Sequence, residues 1–85
     1  MRNATLEVGN ETFNVTYFMM SEQIGTIAAG DRETQLHIVV AHSGQPAILH
    51  RADDSPMPIH LMRGCEDQMQ GSKLLHRMSF ARRPG

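Results

Sequence analysis

The stretch Thr5-Leu6-Glu7-Val8-Gly9-Asn10-Glu11-Thr12-Phe13-Asn14-Val15-Thr16-Tyr17-Phe18-Met19-Met20 carries the clearest local instruction in the chain. Leu6 and Val8 alternate with Thr5 and Glu7, and Gly9-Asn10 offers a turn that tolerates positive φ. The run from Thr12 to Met20 is dense in β-branched and aromatic residues, which suit a pleated surface. The pattern predicts a β-hairpin. In its second strand Phe13, Val15, Tyr17 and Met19 share one face, opposite Asn14, Thr16, Phe18 and Met20. The first set is the expected core face. Phe18 and Met20 then point outward, towards another layer or a partner.

Working outward from the hairpin, Ile24, Ile27 and Ala28 have helical spacing. Gly25 and Gly30 weaken a helix there, and the β-branched residues favour a short strand. Residues 35–42, Gln-Leu-His-Ile-Val-Val-Ala-His, read as a strand closed by Ser43-Gly44-Gln45-Pro46. Residues 47–51 are its expected antiparallel mate in a second hairpin. Residues 73–80 alternate as a closing strand, with Leu74, His76, Met78 and Phe80 on one side. Between these lies Asp53-Asp54-Ser55-Pro56, which can cap a helix with proline in its first turn. Ile59, Met62, Cys65 and Met69 fall near one helical face, and Gly71 can end it. That helix carries about 1 kcal/mol of cost at Gly64. A rival reading makes Met57, Ile59 and Leu61 a strand that turns at Arg63-Gly64. The expected fold class is therefore α+β: a small antiparallel β-sheet of about five strands, rich in hairpins and able to curl into a barrel, with one short helix around residues 56–70. Residues 1–80 form a single β-rich domain and residues 81–85 a flexible basic tail.

Composition sets limits on function. Eighty-five residues, 40% hydrophobic and 20% charged, describe one small globular domain rather than a disordered chain. No apolar run approaches the roughly 18 residues of a membrane span. A formal charge of −1 removes the general electrostatic argument for a nucleic-acid or anionic-membrane partner. That balance is a cancellation. Residues 1–72 carry four basic and nine acidic side chains, a net −5, while residues 73–85 carry four basic ones and no acid. The sole cysteine, Cys65, cannot form an intramolecular disulfide, which favours a reducing compartment. The N-terminal residues show no apolar leader, so a cytoplasmic protein is expected. All three asparagines, Asn3, Asn10 and Asn14, sit in glycosylation sequons. Threonines alternating along two strands account for that pattern without a glycan.

Five histidines are present, and His37, His50, His60 and His76 with Cys65 are candidate metal ligands, since imidazole and thiolate suit zinc. Their spacings contain no CxxC, HxxxH or HExxH pair, so the sequence assigns no metal and no cofactor. Cys65 with His60 or His76, and Ser43 beside His42, are the sole nucleophile–base suggestions, and none has the third group that orients a base. No phosphate-binding or dinucleotide fingerprint exists. A non-enzymatic protein is expected. Lys73, Arg77, Arg82 and Arg83 could neutralise phosphates, which gives nucleic-acid binding through the C-terminal strand and tail as one alternative. A His/Cys metal-binding protein is a second. The leading expectation rests on the apolar surplus. A core this small cannot hide Phe18, Met20, Ile48, Met57 and Met62 together, and exposed apolar patches commonly become interfaces. The chain therefore reads as a small protein-binding module that occludes a partner's surface or associates with a second copy as a homodimer. Phage and mobile-element inhibitors act in that way. Phe18, Met20, Met57 and Met62 are the expected contacts, with Arg77, Arg82 and Arg83 as polar partners.

Overall fold

In the computed structural model residues 2–63, 66–70 and 73–84 are described, with residues 66–70 and 73–76 described by their backbone. Gly9 adopts a φ of 59°, and the turn it makes pairs β1 (Arg2–Val8) with β2 (Glu11–Met19) in the antiparallel register that sets Val8 against Glu11 and Leu6 against Phe13. The alternation expected of this hairpin is observed. Val15 and Tyr17 are buried, Phe13 and Met19 half-buried, and Phe18 and Met20 exposed. β3 (Ile24–Ala29) continues the meander beside β2, as the short strand its β-branched residues favour.

The chain then crosses the end of the sheet as α1 (Arg32–His42), where a strand was expected over residues 35–42. Asp31 decides the local conformation. Its carboxylate accepts from the Thr34 N–H at 2.9 Å and from the Thr34 hydroxyl at 2.7 Å, the cap a helix start requires. Gln35 Oε1 accepts from the Ala29 N–H at 2.7 Å and ties the first turn to the end of β3. Ile38 is fully buried in the core. The β-branched run Ile38-Val39-Val40 lowers helix propensity by only tenths of a kcal/mol per residue, less than the cap and the burial return.

β4 (Pro46–Arg51) therefore lacks the expected hairpin mate and pairs instead with β1, Leu49 opposite Leu6, and with β5 (Met57–Leu61), Ala47 opposite Ile59. The helix expected around residues 56–70 is corrected here. Met57, Ile59 and Leu61 alternate into the core while Pro58 and His60 turn away, so the period-2 pattern prevails over the helical one. Cys65 and Gly71 of that expected helix lie outside the described residues. β7 (Lys73–Arg82) pairs with β6 (Glu66–Gln70) along its first half and with β3 and β5 along its second. The strand order β1-β2-β3-β7-β5-β4 returns to β1 and closes a six-stranded antiparallel barrel with α1 over one end. Closure removes the open edges of those six strands. Beyond them, β6 pairs with β7 alone among the described strands.

The expected frayed tail is also shorter. Ala81 and Arg82 belong to β7, the Arg82 N–H donates to the Gln23 carbonyl at 2.7 Å, and the Arg83 N–H donates to that of Pro58 at 3.0 Å. Backbone pairing on both sides holds the chain to that point. Among the described residues, no helix is long and apolar enough to cross a membrane.

Candidate functional site

Strand alternation divides the barrel's outer surface into two unlike walls. Around the middle of β1 the outward positions of β2, β1 and β4 are polar: Asn14 faces Thr5, Thr16 faces Asn3, and His50 faces Thr5 from the other side. They line an open depression of about 730 Å³. The sequon residues Asn3, Thr5, Asn14 and Thr16 thus occupy alternate outward positions of two strands. Across the barrel the second wall is apolar. Phe18 on β2 faces Thr26 on β3, which faces Ser79 on β7, whose carbonyl accepts from the Met62 N–H at 3.0 Å. In the next row Ile24 faces Ala81 and Ala81 faces His60, while the Met20 N–H donates to the Ile24 carbonyl at 2.9 Å. Phe18 and Met20 are each 53% exposed, Met62 is 42% and Ile24 is 38%. Thr26, Ser79 and Ala81 lie between these four, and Thr26 is buried with Arg77 on its hydroxyl, so the wall carries its large apolar groups at its margins.

Two of the expected contact residues are not exposed on this surface. Met57 is 1% exposed, because its place on β5 has the same parity as Ile59 and Leu61 and points into the barrel. Arg77 is 3% exposed, laid against the wall with its Nε–H donating to the Thr26 hydroxyl at 2.8 Å. Burial pulls the pKa of its guanidinium down from the usual arginine value. Arg82 is exposed and Arg83 half-buried.

A second feature stands at the helix end. Glu11 opens β2 directly after the Gly9 turn, and its Oε1 lies 2.8 Å from Nε2 of His37 and 2.8 Å from Nε2 of His42. The two imidazoles meet edge-on with centroids 5.7 Å apart, and Phe13 borders both at 5.8 and 6.1 Å. His42 Nδ1 is 3.0 Å from Gln45 Oε1. The sequence offered His37 as a ligand but gave no reason to join it to Glu11 and His42, which only a helix over residues 32–42 brings together. His50 is elsewhere, paired with Glu7 at 2.8 Å. His60 is exposed on β5. Cys65 and the side chain of His76 lie outside what is described. Ser43 does not act with His42; its hydroxyl donates to the Val39 carbonyl at the end of the helix.

The charges of this cluster respond to one another. Hydrogen bonds from His37 and then His42 hold the Glu11 carboxyl below its ordinary value of 4.5. For His42 burial works against the charged form, but the hydrogen bonds to Gln45 and Glu11 outweigh it and raise the imidazole above 6.5. The His42 contribution is therefore complete below pH 6.5 and is lost as the pH rises through its folded value. The Glu11 contribution is complete above pH 4.5 and is lost as the pH falls through its own. Both act together between about pH 4.5 and 6.5. Urea unfolding in metal-free buffer across pH 3–9 is expected to show the widest gap between wild type and His42→Ala inside that window. A gap independent of pH would mean the histidine only fills space.

Fold and surface together define a small α+β protein, a six-stranded antiparallel barrel plugged by one helix and carrying one polar and one apolar outer wall. No protein-family model, curated protein or solved structure matches this chain.

Proposed function

We propose that this chain is a non-catalytic protein-binding module that acts by covering a surface, and that a second copy of itself is the first partner. The supporting observation is the apolar wall: Phe18, Met20, Ile24 and Met62 are exposed along one side of a barrel whose other side carries Asn3, Thr5, Asn14, Thr16 and His50. Surface apolar residues scattered singly need no explanation, whereas a grouped set rimmed by polar residues marks an interaction site. In sequence, a body of net −5 is followed by a C-terminal segment of net +4, of which Arg82 is exposed at the barrel end, so opposite charges are available for pairing between two copies. Size adds to the argument. A chain of this length with one cysteine has no intramolecular disulfide, and natural domains without such a staple often gain stability by association. The same feature suits a reducing, cytoplasmic setting. Occlusion of a larger partner's surface, as an inhibitor does, uses the same wall. Nucleic-acid binding is less well supported, because Arg77, one of the four cations it would use, is laid against the barrel with its Nε–H on Thr26.

Sedimentation velocity tests the reading. The wild type is expected to dimerise. Phe18→Glu with Met62→Lys, both at outward positions, should weaken association at least tenfold, about 1.4 kcal/mol or more. Circular dichroism should be unchanged. A wild type that stays monomeric at every concentration would reject self-association, and a double variant that dimerises normally would reject the wall.

A further inference from the structure

We propose that Glu11, His37 and His42 form a binding site for one zinc-class divalent transition-metal ion. Two imidazole nitrogens and a carboxylate are a ligand set zinc accepts, and three protein ligands leave a fourth position for water. Among the described residues this is the one group of three such side chains whose ligand atoms all lie within 4.8 Å of one another. Zinc–nitrogen distances near 2.0–2.1 Å imply tetrahedral ligand atoms roughly 3.3 Å apart. Glu11 Oε1 already lies 2.8 Å from each Nε2. Small side-chain rotations would open a space for the ion between groups that now touch.

Support comes from outside the three ligands. His42 presents Nε2 to the cluster while Nδ1 faces Gln45 Oε1 at 3.0 Å, the outer contact that fixes the ring of a metal-bound histidine in the tautomer that coordinates through Nε2. Phe13 borders both imidazoles and limits their movement. His42 is 8% exposed, whereas Glu11 and His37 are open to solvent, so the site has a fixed floor and an accessible mouth. Imidazole donors discriminate against magnesium and calcium, which prefer shells made of oxygen. None of these residues belongs to the apolar wall, so the site stands or falls apart from the protein-binding reading.

Calorimetric titration of the EDTA-stripped 85-residue chain with zinc chloride is the test. One ion per chain is expected, together with a raised melting temperature. His37→Ala, at an exposed position that leaves the barrel intact, should weaken zinc at least tenfold, as should His42→Ala. Gln45→Ala, which removes the outer contact alone, should weaken it about tenfold. His60→Ala should bind as wild type. Absence of zinc binding would overturn the proposal. So would binding insensitive to His37→Ala, binding abolished by His60→Ala, or magnesium competing as an equal.

Discussion

Gly25→Val is expected to abolish cooperative folding, and Gly25→Ala to cost about 2–3 kcal/mol. Gly25 sits inside the barrel wall, opposite Met19 on β2 and Phe80 on β7. A Cβ at this position would lie 2.6 Å from Phe80 Cζ, 2.7 Å from the Phe18 carbonyl oxygen and 2.9 Å from Met19 Sδ. The thioether is the end of a flexible chain and can swing aside. The Phe80 ring is fully buried and has nowhere to go. The Phe18 oxygen is backbone of a paired strand, so relieving that contact means displacing β2 from β3. Glycine is thus required here by close approach, not by an unusual φ. A domain of this size has about 5–15 kcal/mol of stability in all, and Gly25→Ala should lower the melting temperature by about 10–20 °C. Adding Phe80→Leu to Gly25→Ala relieves the ring contact but not the carbonyl, so the double variant should remain less stable than Phe80→Leu alone. Thermal unfolding followed by circular dichroism measures all four. An alanine variant melting with the wild type would show that the strands part at no cost.

The contrast between Gly25 and the Gly9 turn shows what was legible in the sequence. Residues 5–20 could be read because three local signals agreed: alternation on both sides, β-branched content, and a Gly-Asn turn whose glycine takes positive φ. Phe18 and Met20 were placed outward by that alternation alone. Residues 32–42 could not be read, since Ile38-Val39-Val40 has strand composition and the helix rests on one cap and on the barrel end that Ile38 fills. Tertiary context overrode propensity there. Residues 57–61 satisfied helical and alternating patterns alike, and pairing with β4 and β7 decides between them. The misplacement of Met57 follows from that ambiguity, because a contact surface needed it outward and strand parity turns it in. Arg77 had the right parity but was expected in solvent, and here it is laid against the wall with its Nε on Thr26. The Glu11–His37–His42 group was hidden twice over. It needs the unread helix, and it joins side chains 26 and 31 positions apart.

The helical plug makes the second large effect. Ile38 is fully buried, whereas Leu36 is 48% exposed and Val40, two residues on, 84% exposed. Among the helix's apolar side chains, then, one reaches fully into the core, and Val39 adds partial cover. Ile38→Ala removes three carbons from that contact and is expected to cost about 3 kcal/mol. Ile38→Asp should do more, because burying a carboxylate at this depth is costly and the barrel end must open to hydrate it. The helix would then be held by Gln35 on the Ala29 N–H and by the Glu11–His42 contact, both at the margin of the barrel. Amide exchange across residues 32–42 should rise in Ile38→Asp before global unfolding. His42 and Glu11 should separate, and zinc affinity should fall although no ligand has been replaced. Val40→Asp places the same charge on the same helix facing solvent, where surface substitutions stay within about 0.5 kcal/mol. Equal losses in Ile38→Asp and Val40→Asp would mean that the helix lies on the barrel without closing it, and that the six strands are held by their own side chains alone.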